Sequence, residues 1–156
     1  MSKEGKINVN EIRRSLQIKL ERLMSLEREV NTYQQLIETS TILLSEYLKI
    51  RKAIKEVMNS QKKTYEGLIN IGPRIFVPGI LNFQEEKVVM DIGSGIAVKM
   101  SLKDAIERID QEEKRIRNNI STAQKLIEQA LQMSSKLQRE IEQLRAYLLK
   151  LEKGKG

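Results

Sequence analysis

The chain has 156 residues, of which 31% are charged and 4% aromatic, with no Trp, no Cys and no His. Such a composition lacks the bulk for one compact core of this length. It also excludes a disulfide framework, thiolate metal sites and histidine acid–base chemistry. The formal charge of +7 is interleaved along the chain, eleven basic against eight acidic side chains over residues 1–60, five against four over 61–100 and twelve against nine over 101–156. No block of like charges stands out and the basic residues carry no interleaved aromatics, so no nucleic-acid partner is expected. The start of the chain is polar and no apolar run is long enough to span a bilayer, so no membrane partner is expected and the protein reads as cytoplasmic.

The first third reads as a helix, assigned to residues 1–66. Apolar residues fall on one helical face at Leu16, Leu20, Leu23, Leu26, Val30, Tyr33, Ile37, Leu44, Tyr47, Ile54 and Met58. Two successive three-residue steps around Leu23 make a stammer, which overwinds a coil locally. Asn8 or Asn10 is the expected N-cap, with Glu11 where the helix dipole favours an acid. No Gly or Pro interrupts the pattern before Gly67, so the helix is expected to continue to about residue 65.

Residues 67–100 change character. Gly67, Gly72, Pro73, Pro78, Gly79, Gly93 and Gly95 separate four short β-rich runs, 68–71, 74–77, 87–92 and 96–100. Two hairpins are expected, turned at Gly72-Pro73 and at Gly93-Ser94-Gly95 and joined by the polar stretch 82–86. Pro78 fits only a strand end or an unpaired edge.

The last third, 101–156, opens on Ser101 as N-cap with Asp104 three residues on, an Asp variant of the capping box. A seam then runs through Leu102, Ile106, Ile109, Glu113, Ile116, Ile120, Ala123, Ile127, Ala130, Ser134, Leu137, Ile141, Leu144, Leu148 and Leu151. Its alternating four- and three-residue steps repeat every 3.5 residues, and a seam of that period needs a second helix wound around it. At 1.5 Å rise per residue it makes a rod of roughly 75 Å.

Two helices of similar length joined by hairpins fold most simply as an antiparallel coiled coil, in which residue numbers summing to about 160 face each other. Ala123 and Ala130 then make room near Ile37, Tyr33 and Val30. Glu113, which breaks the apolar seam, falls near Tyr47 and Arg51, and a Glu113–Arg51 pair would fix the register. A charge swap of the two is expected to be tolerated better than either single reversal.

The β segment carries Ile69, Ile71, Ile75, Phe76, Val77, Val88, Val89, Met90, Ile92, Ile96 and Val98. Two isolated hairpins are marginal in water and leave their edges unpaired, so these residues are assigned to oligomerisation with hairpins of other subunits. The fold class is therefore mainly α with a small β part: a long antiparallel two-helix coiled coil joined by two β-hairpins that assemble into an intersubunit β-barrel.

The junction from Lys87-Val88-Val89-Met90-Asp91-Ile92 through Gly93-Ser94-Gly95 and Ile96-Ala97-Val98-Lys99-Met100 to Ser101-Leu102, set between two long helices, resembles the alpha-type subunits of archaeal prefoldin. The resemblance covers essentially the whole chain, and two hairpins in place of one mark the alpha type. It implies a hetero-hexamer of two alpha and four beta-type subunits, with coiled coils projecting from a β-barrel platform. It also implies an ATP-independent chaperone that holds non-native client proteins and passes them to a group II chaperonin.

In that scheme the chemistry is reversible apolar contact. Near the chain ends, Ile7, Val9, Ile12 and Leu16 on one helix and Leu144, Tyr147, Leu148, Leu149 and Leu151 on the other are the expected client-binding tips. Tyr147 and Leu149 lie off the seam, and apolar excess beyond what a seam needs marks an interaction surface. No enzyme is expected and no cofactor or metal. Gly93-x-Gly95 lacks the third glycine and helix of a dinucleotide fingerprint, and the adjacent pairs Glu85-Glu86 and Glu112-Glu113 point apart. The alternative function is a structural filament or tether that assembles through the same hairpins without gripping clients.

Overall fold

The computed structural model describes residues 9–153, so Asn8, one of the two expected caps, lies outside it. In chain order the elements are α1 (Val9–Asn59), β1 (Thr64–Gly72), β2 (Ile75–Asn82), β3 (Lys87–Asp91), β4 (Ala97–Ser101) and α2 (Leu102–Lys153). The strands form two separate antiparallel hairpins, β1–β2 and β3–β4. The chain divides into two compact units, one combining the residues up to Thr39 with those from Asn119 onward, the other spanning Ser40–Asn118.

In the first unit the two helices run antiparallel, as the cross-helix ion pairs Arg13–Glu152 (3.2 Å) and Lys19–Glu140 require. Ile12, Leu26, Ala123, Ala130 and Ile141 are its buried side chains. Tyr33 and Ala130 line one recess, so the two are neighbours across the pair. In the second unit, Ile54 and Val57 pack against Leu102, Ala105 and Ile109. All fifteen seam positions of α2 are buried or half-buried, the polar Glu113 and Ser134 included. That pattern is what a strict 3.5-residue repeat produces when a second helix follows it.

Several boundaries differ from the sequence expectation. Asn10 lies inside α1 and not at its cap. The helix stops at Asn59, six residues early, and β1 starts at Thr64. Its last turn closes by Ser60 N–H donating to the Val57 carbonyl (3.3 Å), and the Ser60 hydroxyl then accepts from Lys62 N–H (3.0 Å). The reason is tertiary: Thr64 pairs with Asn82 and Tyr65 with Leu81, so strand pairing takes residues that carry no local helix-stop signal. The seam residue near the helix end is Val57, buried, while Met58 is exposed.

β2 likewise continues through Pro78-Gly79 to Asn82. In a two-stranded ladder each strand keeps a free edge, where a residue without an N–H is tolerated. The β1–β2 turn is Pro73-Arg74, with Arg74 at φ +64°, the conformation that the third residue of a type II turn takes after proline. At the second turn Gly93, Ser94 and Gly95 all have positive φ, and Asp91 Oδ1 accepts from Gly93 N–H (2.8 Å).

Ser101 ends β4 and caps α2 in one residue. Its hydroxyl accepts from Asp104 N–H (3.0 Å) and donates to Asp104 Oδ2 (2.7 Å), so the acid supports the capping hydroxyl itself.

Candidate interaction surfaces

Register decides which strand residues share a face. On β1–β2, Tyr65, Leu81, Ile69 and Val77 lie on one face, while Glu66, Ile80, Leu68, Pro78, Asn70 and Phe76 lie on the other. Tyr65 is the anchor. Half-buried against the Ile54–Leu102 cluster, it meets Phe83 edge-to-face at 6.0 Å. Beyond it, Ile69, Ile71, Ile75, Phe76 and Val77 are exposed, as are three residues absent from the sequence assignment: Leu68 (70% exposed), Ile80 (68%) and Leu81. The last two were missed because Pro78-Gly79 reads as the end of the run; the adjacent apolar pair Ile80-Leu81 before the turn residue Asn82 was the available signal. Opposed Gly67 and Gly79 leave the Tyr65 face without a side chain at one rung, and the end of Ile69 folds over Gly79 into that space.

The second hairpin behaves differently. Val88 pairs with Met100 and Met90 with Val98, which puts all four on one face. Val88, Met90 and Met100 pack on the same helix-end cluster and are half-buried. Val88 and Met90 are therefore covered by this chain's own helices. Val89, Ile92, Ile96 and Val98 remain exposed. On the outer side, Lys99 bonds Glu85 at 2.5 Å. That hydrogen bond, followed by the charges of Lys99 and Lys87, holds the Glu85 carboxyl below its ordinary range.

Beneath the hairpins sits the polar break in the seam. Arg51 Nη1 lies 2.5 Å from Glu113 Oε2 and 3.1 Å from Asp110 Oδ1, and Glu113 also bonds Arg117 at 2.9 Å. The expected Glu113–Arg51 pair is present, but it belongs to a four-membered cluster, with the Glu113 side chain only 15% exposed.

Of the expected tip residues, Ile7 lies outside the described residues. Ile12 is buried, Val9, Leu16, Leu144, Leu148 and Leu151 are half-buried, and Tyr147 and Leu149 (58%) are exposed. The structure adds Ile18, 57% exposed and off the seam. An open groove at this end is lined by Ser15, Lys19, Glu140, Gln143, Leu144 and Tyr147. Lys19 donates to Glu140 across it, and this bond is the main cause of a lowered Glu140 pKa, with Lys136 adding a smaller pull. Among the described residues no cluster of acids fit to hold a metal ion occurs, and no helix is long and apolar enough to cross a membrane.

The prefoldin subunit family model matches residues 26–151. The chain belongs to the prefoldin family. Two curated archaeal relatives place it with the alpha type, in agreement with its two hairpins. It is 27% identical over 128 residues to the prefoldin subunit alpha of Archaeoglobus fulgidus, covering 82% of this chain and 92% of the relative. It is 28% identical over 122 residues to that of Methanopyrus kandleri, covering 76% and 74%. Among solved structures, a chain in the cryo-EM structure of filamentous PFD from Methanocaldococcus jannaschii superposes with a TM-score of 0.59 at 16% identity, covering 81% of this chain and 98% of that one. The likeness confirms the prefoldin fold of two long helices and two small hairpins. Prefoldins are a family of chaperones and not of enzymes.

Proposed function

We propose that the chain is the alpha-type subunit of an ATP-independent holdase. In this reading it assembles through its hairpins with beta-type subunits, two alpha to four beta, and works in the cytoplasm. The terminal ends of the coils capture non-native proteins and hand them to a group II chaperonin. The observation that carries the assembly half is β1–β2, whose two faces expose Leu68, Ile80, Phe76, Ile69 and Val77 together. Contiguous apolar surface of this kind is a liability on a free chain and an asset in a closed barrel. The capture half is supported by Ile18, Tyr147 and Leu149, apolar and exposed where the seam does not need them.

Capture needs no strong single contact. Each fully buried side chain contributes on the order of 1.5–3 kcal/mol, and several arms acting on one client multiply weak contacts through effective concentration. The test is light scattering of an unfolding client with the co-expressed complex, before and after shortening each chain end by about ten residues (roughly three turns,). Suppression lost with the oligomer intact supports the reading; suppression retained refutes the placement of the grip.

A second reading has one specific observation behind it, the filamentous assembly named for the Methanocaldococcus jannaschii relative. If hairpins of this chain pair with further copies instead of closing a ring, native mass would rise without limit as concentration increases. A discrete hexamer favours the holdase.

A further inference from the structure

We infer that the terminal end of the first unit is a basic as well as an apolar surface, and that it selects acidic segments of non-native polypeptides. The inference rests on the client-capture reading and narrows its substrate class. Along the sequence the charge excess looks even, but antiparallel pairing gathers it. Residues 9–20 and 136–153, which the Arg13–Glu152 and Lys19–Glu140 pairs bring together, carry eight basic against four acidic side chains. Residues 21–135 are nearly balanced, seventeen against sixteen. Most of the excess of the described chain therefore belongs to one end of one unit.

The acids present there do little to neutralise it. Glu152 pairs with Arg13, and Glu140 pairs with Lys19 and feels a smaller pull from Lys136. Among the described residues, Arg14, Arg139, Arg145, Lys150 and Lys153 have no carboxylate within ion-pair distance. At 3.6 residues per turn, Arg139, Lys150 and Lys153 project within about 60° of one another, opposite the seam. Tyr147 and Leu149 flank that stripe on either side, and both are exposed.

A partner that satisfies both features carries carboxylates interspersed with apolar side chains. A folded acidic protein buries the apolar half of that pattern, whereas a non-native acidic chain displays it. Like-charged basic segments would be repelled by the same stripe, so charge sets preference while apolar contact supplies grip.

The experiment uses the assembled complex and three fluorescent peptides with identical apolar residues and either Glu, Gln or Lys between them. The expected order is Glu, then Gln, then Lys, with about a ten-fold preference for Glu over Gln at about 0.05 M salt that shrinks below about two-fold at about 0.5 M. The combined variant Arg139→Gln, Arg145→Gln, Lys150→Gln and Lys153→Gln changes only exposed positions. It is expected to abolish the Glu preference while leaving Gln-peptide affinity unchanged. Equal binding of Glu and Gln peptides, or a preference that survives in the variant, overturns the inference with client capture intact. Failure of the parent complex to bind any peptide overturns capture and the inference together. An oligouridine probe that binds more tightly than the Glu peptide, and is lost in the variant, overturns it in favour of a nucleic-acid surface.

Discussion

The two hairpins are both rich in apolar residues and stand in opposite circumstances. β3–β4 lays Val88, Met90 and Met100 on the helix-end cluster and shows its other face to solvent. β1–β2 touches that cluster through Tyr65, and the rest of it stands exposed on both faces. One hairpin is therefore packed into the chain's own structure, and the other is left largely uncovered by it, which is why assembly is proposed there. The difference teaches that apolar content alone does not mark an interface; what marks it is apolar surface that the chain's own elements do not reach.

This contrast can be broken or sharpened by mutation. The largest effect is expected beneath the second hairpin. Ile109→Ala opens a cavity in the cluster that supports Val88 and Met90, and should cost about 2–4 kcal/mol in denaturant unfolding of the isolated chain. A loss below about 1 kcal/mol would mean that the cluster does not anchor β3–β4. Next comes the polar break. Arg51→Gln or Glu113→Gln should each cost about 1–2 kcal/mol, given partial exposure, and the double variant should cost less than their sum. The structure also shows why a charge swap is a poor test. It would set an acid at position 51 against Asp110, and a guanidinium at position 113 against Arg117.

The glycines of the two hairpins should differ in the same sense as the faces. Gly93 sits at φ +101°, so Gly93→Ala strains the covered hairpin by about 1–2 kcal/mol, read as a lowered unfolding midpoint. Gly79→Ala would instead meet only the Ile69 side chain, chiefly its terminal Cδ1 and more loosely Cγ1, which can turn aside, and should leave stability of the isolated chain nearly unchanged. The smallest effect is electrostatic. The lowered Glu85 pKa means that its bond to Lys99 stabilises the folded state above the ordinary carboxylate value of 4.5 and is lost as pH falls through the folded value. Glu85→Gln should flatten that part of the acid limb of a stability–pH curve.

Much of this was legible in the sequence. The α2 seam was complete because a strict repeat needs no tertiary information. Arg51 and Glu113 were legible as a pair because each interrupts an otherwise apolar face at complementary positions. The end of α1 was not, since residues 60–63 contain neither Gly nor Pro and the helix yields to strand pairing at Thr64. Which hairpin is covered was also invisible, because strand faces say where side chains point and not what lies opposite. The charged end was legible only in part: helical spacing alone aligns Arg139, Lys150 and Lys153 on α2, but the excess is divided between the two chain ends, which meet only when the helices pair.

Assembly is proposed to depend on β1–β2, the hairpin whose apolar surface the chain's own helices leave largely uncovered. Native mass of the chain co-expressed with a beta-type subunit, with and without Leu68→Asp and Ile80→Asp, tests it most directly. The parent chain is expected to form a discrete hetero-oligomer, and the variant to remain a dissociated chain with unchanged helical content. An intact oligomer formed by the variant would contradict it.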